Sequence, residues 1–163
     1  MLFIGLEIGS ISLYALAGLN RVDKLSNEAS LKYFLLGSLA SCIFIYGVSL
    51  VYVSFSVLSV YDFATGVGFV GADSVPLTTK LGVILIFIGL LFKIAAAPFQ
   101  SWAPDVYQGS PTGYVGYMAS IAKASAFIVI ARLCQVSLRF MPNEFESFFL
   151  FVVFHKFSFF LCG

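Results

Sequence analysis

Charge is what this chain has least of: Asp, Glu, Lys and Arg together make up 10% of its 163 residues, against about 25% in an ordinary soluble domain. So few polar groups could not cover the surface of a water-soluble fold, which excludes that class. The nine Lys and Arg nearly cancel the eight Asp and Glu. No basic patch is visible, and nucleic acid is thereby excluded as a partner. The three cysteines, Cys42, Cys134 and Cys162, are odd in number and lack any CxxC or Cys/His spacing. Neither a disulfide framework nor a metal or iron–sulfur site is supported. No basic residue precedes Glu7 in the opening apolar run, so the start does not read as a secretory signal. Gly66-x-Gly68 lacks the third glycine of a nucleotide fingerprint and carries no weight.

Apolar residues fill the space that charge leaves. They make up 60% of the chain, with 19 phenylalanines and a mean hydropathy of +1.00. They fall into five runs, about 2–19, 31–55, 79–97, 112–133 and 145–161, with a short continuation of the third at 101–108. A membrane helix needs about 20 residues, within a range of roughly 17 to 25. The expectation is an all-α, polytopic transmembrane helix bundle, a single membrane domain over 1–163, with one discontinuous helix. The connection 56–78 reads as a Gly/Ser/Asp-containing loop, and the cysteines as small apolar side chains within or at the ends of helices. Lys32, Lys80, Arg132 and Arg139 stand at run ends and read as head-group anchors. Arg21 and Lys24 favour the cytoplasmic or matrix face for 20–30, and Arg132 and Arg139 oppose that orientation.

The third run breaks at Lys93–Thr112, KIAAAPFQSWAPDVYQGSPT. Backbone freed at Pro98 and Pro104 must find partners inside protein or beside a water-filled cavity, because lipid offers none. Three ionisable residues lie well inside apolar runs: Glu7, Lys93 and Lys123. Charges at such depth are costly and mark ion or proton pathways by default. Glu7 shares a helical face with Ser10, Ile11 and Tyr14. Lys123 stands eleven residues beyond Thr112 and nine before Arg132, too deep to reach a head group. On helical spacing it shares its face with Gly116, Ala119 and Ser120, small residues that admit a second helix or water. The bland reading of such charges is an ion pair that only fixes helix register. A carboxylate paired with a lysine stabilises the ammonium by roughly 4 kcal/mol at ~4 Å and an effective dielectric of 20. Separating such a pair in apolar surroundings favours proton release, on a scale sufficient to act against a membrane potential of ~2.3 kcal/mol per charge and 100 mV.

Three blocks carry a family likeness: LEIGSISLYALAGL (Leu6–Leu19), EASLKYFLLGSLAS (Glu28–Ser41) and FKIAAAPFQSWAPDVYQGSPT (Phe92–Thr112), followed by the helix that holds Lys123. Over about Leu6–Leu133 the chain resembles the antiporter-like membrane subunits of respiratory complex I, NADH:ubiquinone oxidoreductase, and among them the subunit 2 family. The resemblance implies part of an inverted-repeat fold. By that likeness Glu7 matches the glutamate that pairs with a broken-helix lysine, Lys93 matches that lysine, and Lys123 matches the central lysine of the next helix. Pro98, Gln100, Pro104 and Asp105 belong to the broken-helix motif. Gln100 departs from the family, which often has histidine there, and a glutamine cannot relay a proton at that position.

The function so implied is proton translocation in the membrane arm, as one subunit of an H+-translocating NADH:ubiquinone reductase, gated by the Glu7–Lys93 contact. No redox chemistry is expected on this chain. NADH, FMN, iron–sulfur clusters and ubiquinone would be handled by partner subunits. Only about the first repeat is represented, so the chain reads as a subunit encoded in pieces, its missing helices expected from other chains, or as part of a longer polypeptide. The phenylalanine content fits an AT-rich organellar gene and a mitochondrial inner membrane, with a bacterial plasma membrane as the alternative. A related cation/proton antiporter or membrane-bound hydrogenase would use the same three charges. A structural spacer would tolerate their loss. His155 and Lys156 have no assigned role.

Overall fold

The computed structural model describes residues 2–71 and 74–140. The fifth apolar run, with His155, Lys156 and Cys162, lies outside the described residues, as does the Arg139 side chain. All regular structure among the described residues is helical, in agreement with the expected all-α class. Seven α-helices follow one another: α1 (Leu2–Ala17), α2 (Lys24–Phe55), α3 (Val60–Val70), α4 (Leu77–Lys93), α5 (Trp102–Gly109), α6 (Thr112–Tyr117) and α7 (Lys123–Phe140). A π-helical turn, Met118–Ala122, joins α6 to α7. Among the described residues, Lys24–Phe55 and Thr112–Gln135 are long and apolar enough to cross a membrane, while Leu2–Ala17 and Val60–Val70 are apolar but shorter.

Several boundaries differ from the apolar runs, for local reasons. Helix α2 starts at Lys24, seven residues before Leu31. Asp23 Oδ1 accepts the Leu25 amide at 3.0 Å, which caps a polar first turn that no hydropathy argument would include. At 32 residues, α2 is about 48 Å long. Lys32 therefore sits well inside the helix and not at its end. The connection 56–78, read as loop, contains α3. Ser59 Oγ accepts the Asp62 amide, Asp62 lies in the first turn, and Gly71 at φ 82° closes the C-terminus with its amide on Val67 O. Capping is a local signal that the Gly/Ser/Asp content concealed.

The described residues pack as two compact units. One comprises 2–42 with 91–127, and the other the described parts of 43–90 with 128–140. In the first unit, the turn between α1 and α2 is held by serines. Ser26 Oγ donates to Ala17 O and Ser30 Oγ to Tyr14 O, each at 2.8 Å. These are carbonyls of the last turn of α1, which have no partner within that helix. Tyr114 Oη donates to Leu13 O at 2.8 Å, tying α6 to α1. Leu13, Trp102, Ala103, Val106 and Met118 form the buried centre of this unit, with Tyr33, Phe92 and Tyr107 packed against it. In the second unit, α2 and α4 approach closely at Gly47 and Gly82. A Cβ on Gly47 would lie 2.6 Å from Gly82 O and 2.8 Å from Ile86 N.

A candidate proton-handling site

The break after α4 is built as a capped helix end. Ala96 N donates to Leu91 O and Ala95 N to Phe92 O, both at 3.0 Å, with Ala95 at φ 54°. This is the Schellman arrangement, with alanine in the left-handed position that glycine usually fills. The indole Nε1 of Trp102 donates a further bond to Phe92 O at 3.2 Å. Carbonyls freed by the break thus find partners within protein, as an apolar setting demands. The Ala97–Pro98 peptide is cis. Pro104 falls in the first turn of α5, where a missing N–H costs no helical bond. The Trp102 ring stacks on Phe92 at 6.0 Å and on Tyr33 at 5.1 Å, which anchors α5 to the end of α4 and to α2.

This construction leaves Lys93 in the last turn of α4, where a cation is favoured by the helix dipole. Its Nζ donates to Glu7 Oε1 on α1 and, at 3.0 Å, to Ser10 Oγ. The lysine and glutamate side chains are 12% and 20% exposed, so the pair is largely withdrawn from the surface. Ser10 in turn donates to Leu6 O at 2.8 Å. Ser41 on α2 donates to the same Glu7 Oε1 at 2.8 Å and also reaches Gly37 O at 3.0 Å. Three helices therefore converge on one carboxylate, and two hydroxyls hold the ion pair in place.

The remaining sequence candidates divide. Lys123 follows the π turn, which inserts one residue into the helical repeat and re-phases the face counted from Gly116 and Ala119. Among the described residues it has no carboxylate partner, and its Nζ lies 5.5 Å from the centre of the Tyr107 ring. Asp105 accepts from Lys32 at 2.9 Å, while Lys32 also pairs with Glu28 at 2.8 Å. These groups are exposed, and Lys32 links α2 to α5. Gln100 offers its backbone oxygen to Ala103 N at 3.1 Å. Pro98 is exposed. Sequence reasoning named Ser10 on the Glu7 face but passed over Ser41 and Tyr107, although both stand inside the quoted blocks.

Among the described residues the array is all-helical and is interrupted beside a paired lysine and glutamate. Residues 1–161 match the family model described as NADH:quinone oxidoreductase/Mrp antiporter, transmembrane. The chain belongs to this family. It is 51% identical over 126 residues to NADH-quinone oxidoreductase subunit N 1 of Chloroherpeton thalassium, covering 77% of this chain and 26% of the relative. It is 47% identical over 134 residues to NADH-quinone oxidoreductase subunit N of Magnetococcus marinus, covering 82% and 27%. Among solved structures, a chain of respiratory complex I from Thermus thermophilus with bound aureothin superposes at a TM-score of 0.67 with 42% identity, over 80% of this chain and 28% of that one. A chain of the membrane-bound sulfane sulfur reductase, an archaeal respiratory membrane complex, gives a TM-score of 0.72 with 30% identity, over 82% and 26%. This chain thus spans between a quarter and a third of the length of the relatives it matches.

Proposed function

We propose that this chain forms part of a proton-translocating membrane-arm subunit of an NADH:quinone oxidoreductase. The observation that carries the reading is the Lys93–Glu7 pair at the foot of the interrupted helix. Closed, the contact holds the lysine as an ammonium. Opened, it leaves a charge in apolar surroundings, and the proton passes onward towards Lys123. Electron transfer belongs to partner subunits, which carry the NADH, FMN, iron–sulfur cluster and ubiquinone chemistry. The site is an energy-coupling membrane. Composition favours the mitochondrial inner membrane, and the bacterial relatives favour a bacterial plasma membrane; fractionation of the source cells separates the two.

Native electrophoresis of gently solubilised membranes, with in-gel NADH oxidation and mass spectrometry of the active band, tests the assignment. The chain is expected in a very large NADH-oxidising band. Its recovery only in a smaller band without that activity would overturn the reading. The likeness to the archaeal sulfane sulfur reductase supports a second one, a related respiratory or antiporter complex that does not use NADH. Sodium dependence of transport would mark that alternative.

A further inference from the structure

Tyr107 brings together two facts the ion pair does not use. Its hydroxyl is buried and has no hydrogen-bond partner among the protein groups. Its ring lies 5.5 Å from Lys123 Nζ, within range of a cation–π contact. The ring itself is held in place, edge-on to Trp102 at 6.5 Å, and Trp102 is fixed by stacking on Phe92 and Tyr33. Lys123, for its part, has neither a hydrogen bond nor an ion pair among the described residues. Buried hydroxyls are almost always satisfied, by protein or by ordered water. A hydroxyl and an ammonium are two of the polar partners that an ordered water needs.

We infer that Tyr107 is the positioning residue of Lys123: its ring face seats the ammonium, and its hydroxyl fixes the water that exchanges a proton with Nζ. In the exchange the water's O–H bond breaks as an N–H bond forms on the neutral amine. A hydronium ion of the aqueous phase restores the water, so that the net change is one proton moved from solvent to Nζ. The phenol acts through a hydrogen bond. The π turn at Met118–Ala122 contributes by setting the rotation at which Lys123 leaves the helix. The inference rests on the proposed role of Lys123 in proton transfer.

The test is proton uptake into sealed vesicles by the assembled complex carrying Tyr107→Phe, Tyr107→Leu or Lys123→Ala. Tyr107→Leu, which removes ring and hydroxyl, is expected to slow uptake about tenfold. Tyr107→Phe is expected to recover part of that loss and to show a larger solvent deuterium isotope effect than the unaltered complex. A purely structural role would leave the isotope effect unmoved. If Tyr107→Leu fails to assemble, Tyr107→Phe and Tyr107→Trp still decide the matter, since both keep a ring face. Unaltered uptake and isotope effect in Tyr107→Phe would overturn the inference. If Lys123→Ala also pumped normally, the underlying role of Lys123 would fail with it. Loss of pumping in Lys123→Ala with normal tyrosine variants would sink the tyrosine's role alone.

Discussion

Lys93, in the last turn of α4, donates to Glu7 on α1, a residue 86 positions earlier in the chain. Removing one partner of a largely buried pair leaves an uncompensated charge, at a cost of about 3 kcal/mol. Glu7→Gln and Lys93→Ala are expected to uncouple proton pumping while NADH oxidation continues. The check is the number of protons moved per NADH in sealed vesicles. A chain with Lys93→Ala that stays fully coupled would rule out this contact as the gate.

Ser41 donates to the same Glu7 oxygen that Lys93 engages. Ser41→Ala removes a single hydrogen bond and keeps the charges, so it should cost about 1 kcal/mol and slow pumping a few-fold without abolishing it. Initial rates of vesicle acidification measure this. Loss as complete as in Glu7→Gln would mean that the hydroxyl itself carries the proton.

Ala95 occupies a left-handed backbone position at φ 54°. Side chains with a Cβ disfavour that region by roughly 1–2 kcal/mol, and glycine does not. Ala95→Gly is therefore expected to raise the midpoint of thermal unfolding, against the usual direction for glycine. A lowered midpoint would mean that the Cβ contributes more through packing than it loses through conformation.

Gly47 and Gly82 face each other with backbone atoms, not flexible side-chain ends, as the nearest neighbours. Gly47→Ala should destabilise by about 1–3 kcal/mol, because backbone must move to admit the methyl group. Thermal unfolding of the purified complex checks the size, and an unchanged midpoint would show that the helices separate freely at this point.

Asp105 bridges to an exposed Lys32. Exposed pairs of this kind contribute little and are screened by salt. Asp105→Asn is expected to leave pumping unchanged, with any loss of stability disappearing at high ionic strength. A salt-independent loss of coupling would place Asp105 in the proton path after all.

The membrane family of the chain and the interruption of the helix after Lys93 were legible in the residues alone. They depend on composition and on local backbone chemistry: apolar runs of membrane length and prolines that cannot continue a helix. Where capping set a boundary, as at Asp23 for α2 and Ser59 for α3, the signal was local too, but hydropathy masked it. The Glu7–Lys93 pairing was implied by the family likeness, whereas the arrival of Ser41 at the same carboxylate depends on how α1, α2 and α4 pack. The same holds for Asp105 of the broken-helix motif, which meets Lys32 of α2. It holds for Lys123 as well, because a π turn shifts the helical phase by one residue and no periodicity argument can foresee it. Residue chemistry set what each group could do, and the three-dimensional arrangement chose its partner.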